Sequence, residues 1–80
     1  MPYAIQTPAQ LGKVLQAERK TRGLNQLQAA ESVGLLPKTV SRLERNPDTA
    51  TIDSLFKLLS ALQLELVVQP KDRPPTTREW

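Results

Sequence analysis

The sequence predicts an all-α chain of four to five short helices, followed by a short C-terminal β-strand and a disordered tail. Three observations carry that reading. Apolar residues recur at helical spacing in four stretches between Thr7 and Leu62, set apart by capping residues, prolines and glycine turns. The spacing then changes to period two over residues 64–69. From Pro70 the chain reads PKDRPPTTREW, with too little apolar surface to offset the entropy of ordering. With 80 residues there is room for one domain. Such a chain buries only about 60% of its unfolded surface and would gain from dimerisation.

The first helix opens at Thr7 as N-cap, with Pro8 at the first helical position and Gln10 closing a capping box. It runs to about Arg22, buries Leu11, Val14 and Leu15, and stops at Gly23. Asn25 caps the second helix, which turns Leu27, Ala30 and Val33 inward and ends at Gly34. Leu35 or Leu36 begins the third, with Pro37 tolerated in its first turn. Its apolar residues Leu36, Val40 and Leu43 fall at i, i+4 and i+7. RNPDTAT is rich in turn formers, and Thr51 with Ser54 then opens a fourth helix. Ile52, Leu55, Phe56, Leu59 and Leu62 share one side of it, and Phe56 at that spacing reads as a core filler.

Leu64, Leu66 and Val68 alternate with Glu65, Val67 and Gln69 as in a strand. A lone strand needs a partner. Tyr3–Ile5 is one candidate, and the same strand of a second copy in a two-fold dimer is the more attractive one. An extra helical turn followed by coil is the alternative. Trp80 ends the tail and is either inert or an anchor for a partner's pocket.

Composition removes several function classes. There is no Cys, so disulfides and thiolate metal sites are excluded, and no His, the commonest general base and metal ligand. An enzyme, a bound metal and a cofactor are therefore not expected. The N-terminus MPYAIQTPAQ lacks a basic segment followed by an apolar core, and no run is long enough to span a membrane. A soluble, cytoplasmic protein is expected. Net charge is only +3, yet six cations stand between Arg19 and Asn46 (Arg19, Lys20, Arg22, Lys38, Arg42, Arg45) against Glu31 and Glu44. The excess is local, as on a phosphate-facing surface.

Asn25 to Glu44 thus reads as two short amphipathic helices around a tight turn at Gly34. On the second, Lys38, Ser41, Arg42 and Arg45 form a cationic, hydrogen-bonding face distinct from the apolar one. A helix about 10–12 Å across fits the roughly 12 Å major groove of B-DNA, where Arg and Lys reach guanine edges. A DNA-binding module follows. Arg19 stands on the Leu11–Leu15 side of its helix, where the pattern predicts burial, and a buried charge demands a partner. Glu44 is the candidate.

These residues resemble the Xre/phage-repressor helix-turn-helix family over about residues 7–62. Gln26 stands where its members begin their second helix, Ala30 where a small residue is needed, Gly34 at the turn, and Val40, Ser41 and Glu44 at recognition-helix places. Asn46–Asp48, the apolar strand and the ending Glu79-Trp80 are similar to the HipB-type antitoxins within it. The resemblance implies that Arg19 and Glu44 form a structural ion pair outside the DNA site. It implies that Asn25 and Gln26 bind phosphate, and that Lys38 and Arg42 read bases. Thr39, Ser41, Arg45 and Asn46 are placed for phosphate or secondary base contacts. Pro37 departs from the family, many of whose members carry a hydrogen-bonding residue there, and offers only apolar contact, as with a thymine methyl. Lys20 and Arg22 answer the helix dipole or graze the DNA backbone.

The resemblance further implies a homodimeric autorepressor on palindromic operator DNA, its partner a HipA-type serine/threonine kinase toxin, with Trp80 in the partner contact. The expected segments are an N-terminal arm (1–6), the helix-turn-helix domain (7–63), a dimerisation strand (64–69) and the disordered tail (70–80). A phage-type repressor without a toxin, or an interaction adaptor that has lost DNA binding, are the other readings.

Overall fold

The computed structural model describes residues 3–71. Among them the chain forms four α-helices, α1 (Pro8–Thr21), α2 (Gln26–Glu31), α3 (Pro37–Arg45) and α4 (Ile52–Ala61), with a 3-10 turn at Pro47–Thr49. Three of the four starts are side-chain caps. Thr7 Oγ1 accepts from the Gln10 N–H at 3.2 Å while Gln10 Oε1 accepts from the Thr7 N–H. Asn25 and Gln28 form the same reciprocal pair. Thr51 Oγ1 takes the Ser54 N–H. Only α3 begins without a side-chain cap, from an extended Leu36 followed by Pro37.

Three stops share one device, two reversed hydrogen bonds around a residue of positive φ. Leu24 N–H reaches the Arg19 carbonyl and Gly23 N–H that of Lys20. Leu35 reaches back to Ala30 and Gly34 to Glu31, and Leu64 to Leu59 and Gln63 to Ser60. Gly23 and Gly34 take the left-handed conformation at φ +70° and +74°. At the third stop the left-handed residue is Gln63, φ 57°.

Among the described residues the core is aliphatic: Leu15 from α1, Ala29 and Ala30 from α2, Val40 and Leu43 from α3, and Leu55, Leu58, Leu59 and Leu62 at α4. α3 packs against every other helix. Its crossing with α1 is set by Gly12, where a Cβ would stand 2.3 Å from the backbone oxygen of Glu44. Helical periodicity gives no warning of such a contact, because a glycine inside a helix reads only as a propensity cost.

Several apolar residues expected inside are not there. Phe56 is 49% exposed and Ile52 66%, so Phe56 does not fill the core. On α4 these two lie one stripe round from Leu55, Leu59 and Leu62, and nothing in the described chain covers them. Leu27 and Leu36 are exposed as well. The Leu36 backbone is extended, which takes its side chain off the Val40–Leu43 stripe that the spacing placed it on.

No strand is present among the described residues. Leu64 packs on the core, and residues 65–71 continue as exposed chain without secondary structure. A β-ladder requires a second strand, and neither Tyr3–Ile5 nor any other described segment supplies one. No helix of the described residues is long and apolar enough to cross a membrane. Trp80 and residues 72–79 lie outside the described residues.

Candidate nucleic-acid interface

α3 divides its residues sharply. Val40, Leu43 and Glu44 are buried against the other helices, while Lys38, Arg42 and Arg45 are exposed. Half-buried Ser41 lies between them, and Asn46 follows as the exposed C-cap. These residues and Thr49 line an open concave surface. A second hollow continues from Lys38, Thr39 and Arg42 to Thr49, Ala50, Thr51 and Ser54 at the start of α4. The site therefore includes the start of α4, where Thr51 caps the Ser54 N–H and the positive end of the helix dipole lies beside the cations of α3. Thr49, Ala50, Thr51 and Ser54 were not singled out by sequence reasoning. The signal was the Thr51 cap, read only as a helix start.

Electrostatics concentrate on the same face. Arg19 is paired with Glu44, and Arg22 with Glu18. Lys38, Arg42 and Arg45 have no ion-pair partner among the described residues. Six local cations thus reduce to a smaller set, three of them on α3. Arg22 also donates from Nη1 to the Glu18 carbonyl oxygen at 3.3 Å, so its work is at the end of α1. Glu18 further accepts from the Tyr3 hydroxyl at 3.0 Å, which ties the N-terminal segment to α1. Arg22 first and Tyr3 second hold the Glu18 carboxyl below the usual carboxylate range.

Behind the cationic face lies a buried knot. Arg19 Nε donates to Glu44 Oε2 at 2.6 Å and Nη2 to Oε1 at 3.1 Å, a two-pronged pair with both residues under 10% exposed. Its third nitrogen donates to the Leu24 carbonyl at 2.8 Å. The hydrogen bonds to Glu44 raise the Arg19 pKa further, against the opposing cost of burial. Gln26 Nε2 also donates to Glu44 Oε1, at 3.2 Å. One network therefore joins α1, α2 and α3, and Glu44 is turned away from the exposed face.

The remaining site residues divide accordingly. Gln26, half-buried, has one amide hydrogen committed to Glu44 and a second without a partner among the described residues. Asn25 is exposed, but its Oδ1 is spent on the Gln28 N–H, leaving its NH2 as the outward group. Pro37 is exposed at the first position of α3 and Thr39 half-buried two residues on. Lys38, Thr39, Ser41, Arg42, Arg45 and Asn46 come together around the two hollows; Asn25, Gln26 and Pro37 are not among their lining residues.

A helix-turn-helix family matches residues 15–69 of the chain. The antitoxin HipB of Escherichia coli strain K12 is 32% identical over 76 residues, covering 94% of this chain and 86% of that protein. The HipB of Escherichia coli O6:H1 is 30% identical, covering 94% and 81%. Among solved structures, a HipA–HipB–O2–O3 complex superposes with a TM-score of 0.84 at 30% identity, covering 89% of this chain and 100% of that one. A HipB–O4 20mer complex gives 0.83 at 30% identity, with 86% and 97% covered.

Proposed function

The chain belongs to the HipB antitoxin family of helix-turn-helix proteins, and on that premise we propose that it is a homodimeric DNA-binding antitoxin that represses its own operon and neutralises a HipA-type serine/threonine kinase. The observation that carries the DNA half is the exposed Lys38–Arg42–Arg45 face of α3, without an ion-pair partner among the described residues, beside the N-terminus of α4. Lys38 and Arg42 read base edges in the major groove, where a guanine presents two acceptors to a basic side chain. Asn25, Gln26, Thr39, Ser41, Arg45 and Asn46 hold the phosphates and fix the register. Thr51 and Ser54 extend that backbone contact across the start of α4.

What the described residues leave uncovered supports a two-fold dimer. Ile52, Phe56, Leu66, Val67 and Val68 are all exposed, more apolar surface than a solitary 80-residue chain gains by showing to water. In the dimer, residues 64–69 pair with their counterparts and Phe56 is covered. The two recognition helices then enter successive major grooves about 34 Å apart on a palindromic operator. Likeness to a HipB solved with HipA and DNA supports the kinase as partner. The segments are then the arm (1–6), the DNA-binding domain (7–63), the dimer strand (64–69) and a tail (70–80) that offers Trp80 to the kinase.

Binding to DNA from the chain's own promoter, followed by fluorescence anisotropy across a salt series, tests this. The logarithm of affinity is expected to fall linearly with that of salt, by about 0.9 per phosphate contact. Arg42→Ala is expected to cost about 1–3 kcal/mol on the operator and to relax preference at one base pair. Salt-independent binding, or none, overturns the DNA reading. A stoichiometric kinase recovered with the N-terminally tagged chain supports the antitoxin half, and its absence leaves a plain repressor.

A further inference from the structure

Leu36 is 58% exposed, although its neighbour Leu35 packs on the core and the apolar spacing aligned Leu36 with Val40 and Leu43. Its direction is fixed by the backbone on both sides. The Leu35 N–H is held by the Ala30 carbonyl at 2.9 Å, and Pro37 confines the preceding residue to the extended conformation it has, φ −90° and ψ 149°. The backbone therefore holds Leu36 at the leading end of α3, one residue before Pro37 and two before Lys38, with its side chain outward.

That leading end is poor in polar groups. Leu36 gives α3 no side-chain cap, its carbonyl is taken by the N–H groups of Thr39 and Val40, and Pro37 has no N–H to give. What remains outward is a leucine side chain and a proline ring beside a cation. In the major groove only one base offers an apolar group, the C5-methyl of thymine. Against a guanine, adenine or cytosine edge, Leu36 would strip water from acceptors or amino groups and return nothing.

We infer that Leu36 is a specificity-determining residue that packs on the C5-methyl of a thymine in each operator half-site, next to the base pair read by Lys38. It selects twice, by burying that methyl and by penalising polar edges at the same step. This rests on the DNA-binding reading above and adds to it a residue and a base.

The test uses the full chain and a duplex it enriches from a random-sequence pool. Each thymine of the half-site is replaced singly by deoxyuridine, which removes the methyl and keeps every hydrogen-bonding group. Wild type is expected to bind about fourfold more weakly at one replaced thymine per half-site, the equilibrium ratio for burying one methyl. Leu36→Ala is expected to lose that dependence at the same thymine while keeping its salt slope. As Leu36 is exposed, its melting curve checks that the variant folds. A wild-type chain indifferent to every replacement, or a Leu36→Ala chain with the full fourfold ratio, overturns the assignment of Leu36 alone. Failure to enrich any duplex overturns the DNA reading, and this assignment with it.

Discussion

Gly12→Ala sets two effects of opposite sign against each other. In an exposed helix interior this substitution stabilises by about 1 kcal/mol, because alanine forms helix more readily. Here the new Cβ would lie 2.3 Å from the Glu44 carbonyl oxygen, 3.0 Å from its carbon and 3.4 Å from the Leu43 oxygen. An ordinary contact needs about 3.5 Å, so α1 and α3 must part by roughly 1 Å. The obstructing atoms are backbone within a helix and cannot rotate aside. Forced separation of packed elements costs about 1–3 kcal/mol and occasionally more, and it also pulls Glu44 from a two-pronged bond to Arg19 that tolerates little movement. The crossing therefore wins: the disturbed Arg19–Glu44 pair offsets the propensity gain of about 1 kcal/mol, which leaves a net loss of about 1–3 kcal/mol. For a chain of this length that lowers Tm by about 5–15 °C, read by far-UV circular dichroism. Lys13→Ala, at the exposed neighbouring position, should stay within about 0.5 kcal/mol of wild type. A Gly12→Ala chain melting at or above wild type refutes the close approach.

Glu44→Ala leaves the Arg19 guanidinium buried with only the Leu24 carbonyl, and a broken buried pair costs about 3–5 kcal/mol; an unchanged Tm contradicts this. Gln63→Gly relieves a left-handed residue worth about 1–2 kcal/mol, less about 0.5–1 kcal/mol for the freer unfolded chain. The urea midpoint should rise with the same slope, and a lower midpoint excludes the strain. The Glu18 carboxyl is depressed by Arg22 and then Tyr3, so its stabilisation is present above the unfolded carboxylate pKa and fades as pH falls through the lower folded value. An NMR titration of Tyr3→Phe should move Glu18 upward but short of the usual value, since Arg22 remains; a superimposable curve removes Tyr3 from the account.

What the sequence made legible was local chemistry. Thr7, Asn25 and Thr51 cap because their side-chain oxygens meet nearby N–H groups, and Gly23 and Gly34 stop helices because they accept positive φ. The Arg19–Glu44 contact is traceable to a charge on an apolar stripe. The cationic face of α3 is visible as a second stripe at the same period. Gly12, Phe56 and Leu36 were not legible, for one shared reason. Periodicity says which residues of a helix lie together but not how far the covering surface extends. Phe56 lies just past the edge of the core, and Leu36 leaves its stripe because Pro37 holds it extended. Gly12 depends on a crossing between segments some thirty residues apart, which no local pattern encodes.

The aliphatic core has an optical corollary. The chain holds one Tyr, one Phe and one Trp, and the first two are about half exposed. Neither Tyr3 nor Phe56 therefore registers the packing of the helices as a buried chromophore would. The single indole, Trp80, belongs to the opposite end of the problem. Its fluorescence is a separate signal, so one chain offers two readouts: amide dichroism for the fold, and tryptophan emission for the C-terminal segment.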